Sequence, residues 1–182
     1  MCGFFGQISL SNFLVEKKNF LDASKILINR GPDAEGYKTD KNFYQFSFYR
    51  LSIIDLSDAG NQPMISNCGR YICVYNGEIY NHKEIFKEIK NKFKWRSKTD
   101  TEILLNGWIF FKEKLFSKLD GMFSFAIWDT LERKLILARD RLGEKPLYYF
   151  LDNKNSLFFS SRPGPILNLF PELKKNFNKD CL

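Results

Sequence analysis

Hydrophobic and polar positions alternate along this chain in short blocks rather than in long helical stripes. Residues 3–10 form an apolar block as long as one buried strand, and residues 15–29 then place Phe20, Ala23, Ile26 and Leu27 on one helical face. Arg30-Gly31-Pro32-Asp33 stops that helix. Residues 43–56, rich in aromatic and β-branched side chains, predict one or two strands, and residues 57–63, with Gly60 and Pro63, a polar loop. A strand over 71–75 is expected to end at Asn76-Gly77, a dipeptide that accepts positive φ and marks tight turns. Asn81 with Glu84, and Thr99 with Glu102, read as capping boxes. The first opens a helix burying Ile85, Phe86, Ile89 and Phe93; the second opens one carrying Ile103, Leu104, Trp108 and Phe111 to about Lys114. Strands follow over 122–128, 134–139, 147–151 and 157–160, and from Pro163 onward prolines followed by Lys and Asn predict a linker. Because 122–128 is apolar at nearly every position, its strand should be buried on both faces, which predicts a layered α+β domain with antiparallel sheet.

Composition narrows the class. At 182 residues and 44% hydrophobic content the chain suits one globular domain. No apolar run approaches the roughly 20 residues of a membrane span, and residues 1–15 lack the pattern of a signal peptide, so a cytoplasmic protein is expected. Cys2, Cys68, Cys73 and Cys181 form no CxxC pair and His82 is the single histidine, which predicts neither a disulfide framework nor a zinc site. The net charge of +7 comes from lysines spread along the chain, so a solvated basic surface is expected rather than a nucleic-acid or membrane partner.

The start of the chain carries the chemistry. Removal of Met1 from Met1-Cys2-Gly3 would leave a cysteine bearing both a thiol and a free α-amine. The thiolate is the attacking species, and an amine titrating near neutrality can take the thiol proton, so such a residue is a nucleophile with its base attached.

Further motifs join it: MCGFFG at the start, RGPDAEG, YRLSIIDLSDAGNQPM, YNGEIYN, SKTDTEILL and LDGMFSFAIWDTLERKLILARDRLGEKPLYY. Together, from Met1 to about Ser161, they resemble the amino-terminal glutaminase domain of glutamine-dependent asparagine synthases. The resemblance implies a class II glutamine amidotransferase with a four-layer αββα N-terminal-nucleophile sandwich, two antiparallel sheets between helices. It implies that Cys2 attacks the glutamine side-chain amide, that Asn76 and Gly77 form the oxyanion hole, that Arg50 clamps the carboxylate of glutamine, that the backbone of Leu51 and Ile53 lines the glutamine site, and that Glu78 and Asp100 hold the amino-acid end. Arg50 suits a carboxylate by its planar fork of donors, and Asp100 also suits a helix start. Asn29 and Phe48 stand where the family usually has histidines, marking a divergent member.

The resemblance also implies a synthetase domain using ATP and Mg²⁺, in the same or a separate chain. This chain has no Gly-Gly pair and no phosphate-binding loop, so no cofactor or metal is expected on it, and a truncated chain is the favoured reading. Residues 1–162 are expected to be the amidotransferase domain and 163–182 a tail toward the synthetase domain. The ammonia acceptor, aspartate or a sugar acid, stays open, as does a homodimer. The alternative is a non-catalytic glutamine-binding or partner-docking module of the same fold.

Overall fold

The structure is a computed structural model and describes residues 1–175 of the chain. Nine strands form two antiparallel sheets among the described residues. Strand β1 (Gly3–Ser9) lies at the centre of the first, flanked by β3 (Tyr44–Arg50) and β9 (Ser156–Ser160), with β2 (Ala34–Thr39) and β8 (Tyr148–Leu151) at the edges. The second runs β4 (Met64–Ile65), β5 (Tyr71–Ile79), β6 (Gly121–Asp129) and β7 (Lys134–Arg139).

Strand periodicity explains the layers. Alternate residues point to opposite faces, so Phe4 and Ile8 of β1 meet Ile72 and Val74 of β5 and Ala126 and Trp128 of β6 between the sheets. The other face of β1, through Phe5, packs on helix α1 (Lys17–Ser24) and helix α5 (Gly164–Leu169) with Phe20, Ala23, Leu27 and Ile166. The outer face of the second sheet, through Tyr75, Phe125 and Ile127, packs on α2 (His82–Ile89) and α3 (Asp100–Phe111). A short helix α4 (Leu115–Lys118) completes that layer. Three apolar interfaces stack four layers, the αββα sandwich expected.

Several local expectations change. The helix predicted over 15–29 tightens into a 3-10 turn from Lys25, which leaves Ile26 50% exposed. The strand content of 43–56 stops at Arg50; residues 51–56 form a loop with Ile53 73% and Leu56 80% exposed. Strand β2 escapes periodicity because it is a half-exposed edge with Glu35 and Lys38 interrupting it. Asn81 makes no side-chain cap: its amide is taken by Lys118 O (2.7 Å) and Asp120 N–H (3.1 Å), tying α2 to the start of β6.

Thr99 does cap α3, its hydroxyl accepting from Glu102 N–H at 3.2 Å. Thr99→Ala should cost about 1 kcal/mol of folding stability, read as a lower urea midpoint; an unchanged midpoint would mean that the loop, not the cap, holds the helix start.

The predicted linker is folded over part of its length. Pro165 and Ile166 are buried, and Phe170 packs on Phe158 at 4.9 Å between ring centroids. The remainder of that expectation, with Cys181, lies outside the described residues. No helix among the described residues is long and apolar enough to cross a membrane.

Candidate active site

Cys2 precedes β1 and so sits at the end of the inter-sheet core, opposite the loop leaving β3. Its Sγ accepts from Leu51 N–H at 3.4 Å and lies 3.6 Å from Leu51 O. Burial raises the thiol pKa; the Leu51 N–H, the amino terminus and Arg50 act in the opposite direction. The sulfur opens onto a cavity of about 140 Å³. All eight residues singled out in the sequence line it: Cys2, Arg50, Leu51, Ile53, Asn76, Gly77, Glu78 and Asp100. Glu78 and Ile53 are exposed at its rim, and the other six form its walls.

Arg50 ends β3 with its guanidinium turned into the protein. It donates through Nη1 to Ser57 O (2.7 Å) and Asn61 Oδ1 (2.8 Å), and through Nη2 to Asp55 O. A guanidinium has five N–H donors, so Nε–H and one Nη2–H remain without a partner among the described residues, donors that suit a carboxylate. Among the described residues no carboxylate lies in ion-pair distance of Arg50. Gly60 leaves the space the guanidinium needs, since a Cβ there would stand 2.3 Å from Nη2.

The loop holding Arg50 is itself fastened. Asp55 accepts from Lys98 N–H (3.0 Å), Ser57 Oγ (2.6 Å) and Ser57 N–H (2.9 Å), and these bonds lower its pKa to about 2. An Asp two residues before a Ser was the only sequence signal for this strut.

The expected turn at Asn76-Gly77 is not a turn. Strand β5 continues to Ile79, with Asn76 opposite Ser124 and Gly77 opposite Phe123. The glycine serves close approach: a Cβ at Gly77 would lie 2.2 Å from Met122 O. On β6, Phe123 directs its N–H to the Asp140 carboxylate and its C=O to Asp140 N–H, away from β5. Gly77 is therefore in a non-hydrogen-bonded pair, and ladder alternation turns its N–H to the outer edge of β5. On that same edge the N–H of Tyr75 is bound by Gln62 Oε1 (2.6 Å) and that of Ile79 by Asp100 Oδ2 (3.2 Å).

Asn76 is 1% exposed, and its Nδ2 has no acceptor among the described residues. A buried amide donor left unpaired costs free energy, and because Asn76 lines the cavity an acceptor bound there would satisfy it. Asp100 closes the far wall, accepting from Tyr75 Oη at 2.6 Å. Burial raises its pKa against the pull of those hydrogen bonds. Gln62, which also donates to Thr101 Oγ1 (3.2 Å), and Lys145 line the cavity without having been foreseen.

The arrangement brings together a thiol, two N–H donors near it, a guanidinium edge without an anion and a buried carboxylate. That set can bind a small zwitterion and attack a carbonyl attached to it. Comparison with known proteins agrees in kind. The whole chain, 1–182, matches the family described as the glutamine amidotransferase domain. Asparagine synthetase (glutamine-hydrolyzing) 1 of Bacillus subtilis is 39% identical over 166 residues, which span 89% of this chain and 26% of that protein. Asparagine synthetase B (glutamine-hydrolyzing) of Escherichia coli is 33% identical over 179 residues, 96% of this chain and 31% of that protein. The chain thus spans about a third or less of these two relatives. In fold, it superposes on glutamine phosphoribosylpyrophosphate amidotransferase from Bacillus subtilis with a TM-score of 0.67 at 18% identity, over 91% of this chain and 43% of that one.

Proposed function

The chain belongs to the glutamine amidotransferase domain family, and from that premise we propose that it hydrolyses glutamine to glutamate and ammonia through a thioester on Cys2. Removal of Met1 makes the α-amine of Cys2 the general base. It takes the thiol proton, Sγ attacks the side-chain amide carbon, and the amine returns the proton to the departing nitrogen, which leaves as ammonia. Water then attacks the thioester, the same amine relaying its proton to Sγ. The oxyanion of each tetrahedral intermediate accepts from Asn76 Nδ2 and Gly77 N–H. The free edge of Arg50 holds the substrate carboxylate, and Asp100 with Glu78 holds its ammonium.

The observation that carries this reading is that Asn76, whose buried Nδ2 has no acceptor among the described residues, lines the cavity that Cys2 opens into. We assign the ammonia to an ATP- and Mg²⁺-dependent synthetase domain, in the same or a separate chain, acting on a carboxylate: aspartate, as the names of the relatives suggest, or a sugar acid. ATP is assigned to that domain rather than to these residues because no phosphate-binding loop motif stands in this sequence.

The test is the intact mass of the purified chain before and after a glutamine-like diazoketone, with peptide mapping. Loss of Met1 and a single adduct on Cys2 is the expected result. A processed chain that takes no adduct would favour the non-catalytic module. Arg50→Ala should raise KM for glutamine about 10- to 100-fold with a smaller change in kcat, because a charged hydrogen-bonded contact made equally in ground and transition states is lost. An unchanged KM would remove the clamp.

A further inference from the structure

The loop after β7 contributes a cation that the mechanism above does not use. Lys145 is only 6% exposed, yet its Nζ has no carboxylate in ion-pair distance among the described residues. Its one polar contact is with the sulfur of Met1, at 2.9 Å. The loop is built to hold it there. The Asp140 carboxylate accepts from the N–H groups of Lys145 (3.0 Å), Glu144 (2.8 Å) and Phe123 (3.2 Å), locking the turn onto β6. Burial would raise the Asp140 pKa, but these bonds outweigh it and keep the carboxylate ionised. A buried ammonium without an anion is costly, so a turn that fastens one into a cavity wall calls for a use.

We propose that Lys145 is a positioning residue for the base: once Met1 is removed, its ammonium faces the α-amine of Cys2 and keeps that amine neutral and ready to accept a proton. This rests on Cys2 being the amine-assisted nucleophile. Removal of Met1 takes away the thioether and leaves Lys145 Nζ facing the space it filled. The charged groups around that space are Arg30 on the 3-10 turn, 3.7 Å from the same sulfur, Asp33 beyond it, the Cys2 thiol, Arg50 at the end of β3, and Asp100 on α3. The Asp33 carboxylate is occupied by Ser52 N–H at 2.7 Å. Around the amino terminus of the chain as it stands, burial lowers the amine pKa, with Arg30 and Lys145 acting in the same direction and the thiol and Asp33 opposing.

The experiment uses processed wild-type, Lys145→Met, Lys145→Gln and Lys145→Arg chains. The pH titration of the Cys2 α-amine is followed by the ¹³C shift of its Cα in cysteine-labelled protein, and the kcat/KM profile for glutamine is recorded beside it. Losing the ammonium removes a like charge, so the amine midpoint and the acid limb of the profile should both move up by about one pH unit in the Met and Gln variants. Activity at pH 7 then falls about tenfold and recovers at alkaline pH, and the Arg variant returns to the wild-type midpoint. Two neutral variants guard against one failing to fold. Unchanged midpoints in a folded neutral variant would overturn the proposal. A processed chain whose amine midpoint responds to Lys145 but which releases no glutamate would instead overturn the glutaminase reading, and with it the role of Lys145 in serving a base.

Discussion

Cys2→Ala should bring glutamate release down to background, a loss of about 10⁴-fold or more, while the chain still folds and still binds glutamine. In the proposed mechanism the thiol forms the covalent intermediate, and the other described cysteines, Cys68 and Cys73, do not line the cavity. Folding should survive because Sγ makes only two long hydrogen bonds among the described residues, both with Leu51, and alanine keeps the Cβ of a residue at the edge of the inter-sheet core. Binding should survive because the proposed contacts with the amino-acid end are made by Arg50, Glu78 and Asp100, which the substitution leaves in place. Alanine at position 2 also still permits methionine removal, so the variant isolates the thiol. Calorimetric glutamine binding alongside a glutamate-release assay separates the two outcomes. Equal release by wild type and variant would remove the catalytic reading, and lost binding would show that the sulfur shapes the pocket as well as attacking.

Asn76→Ala should lower kcat by about two to three orders of magnitude with little change in KM, the signature of a donor used mainly when the oxyanion forms. The structure adds a second, opposite expectation for stability. Nδ2 has no partner among the described residues, so its removal breaks no bond and relieves a buried unsatisfied donor. Tm should therefore hold or rise while activity collapses. A fall in kcat accompanied by a fall in Tm would make Asn76 a structural residue of β5 instead. A rise in KM alone would place its amide on the ground-state substrate. Gly77 cannot be tested as cleanly, because a side chain there collides with Met122 O.

Where a signal was local, the sequence carried it through to the structure. The apolar blocks that became β1, β6 and β9 were visible because strands buried on both faces need nearly continuous hydrophobic side chains. Thr99 with its partner three residues on was visible because a cap is closed within one turn of helix. Where a local preference competed with a distant partner, the partner won. Asn76-Gly77 favours a turn in isolation, but β6 presents a complementary backbone over nine residues and keeps the dipeptide extended. Asn81 favours a cap, but Lys118 and Asp120 claim its amide.

The chain alone thus determined which chemical groups exist: a cysteine that can become N-terminal, an amide, a guanidinium and two carboxylates, within motifs specific enough to name a family. Tertiary structure decided how they meet and which donors stay free. Arg50 is oriented by the carbonyls of Asp55, from a stretch that looked like strand, and of Ser57, from the polar loop after it, and Lys145 owes its place to a carboxylate that grips a neighbouring strand. Hydrogen-bond capacity is written into each side chain, but whether it is spent or left for a substrate depends on backbone groups brought in from far along the chain.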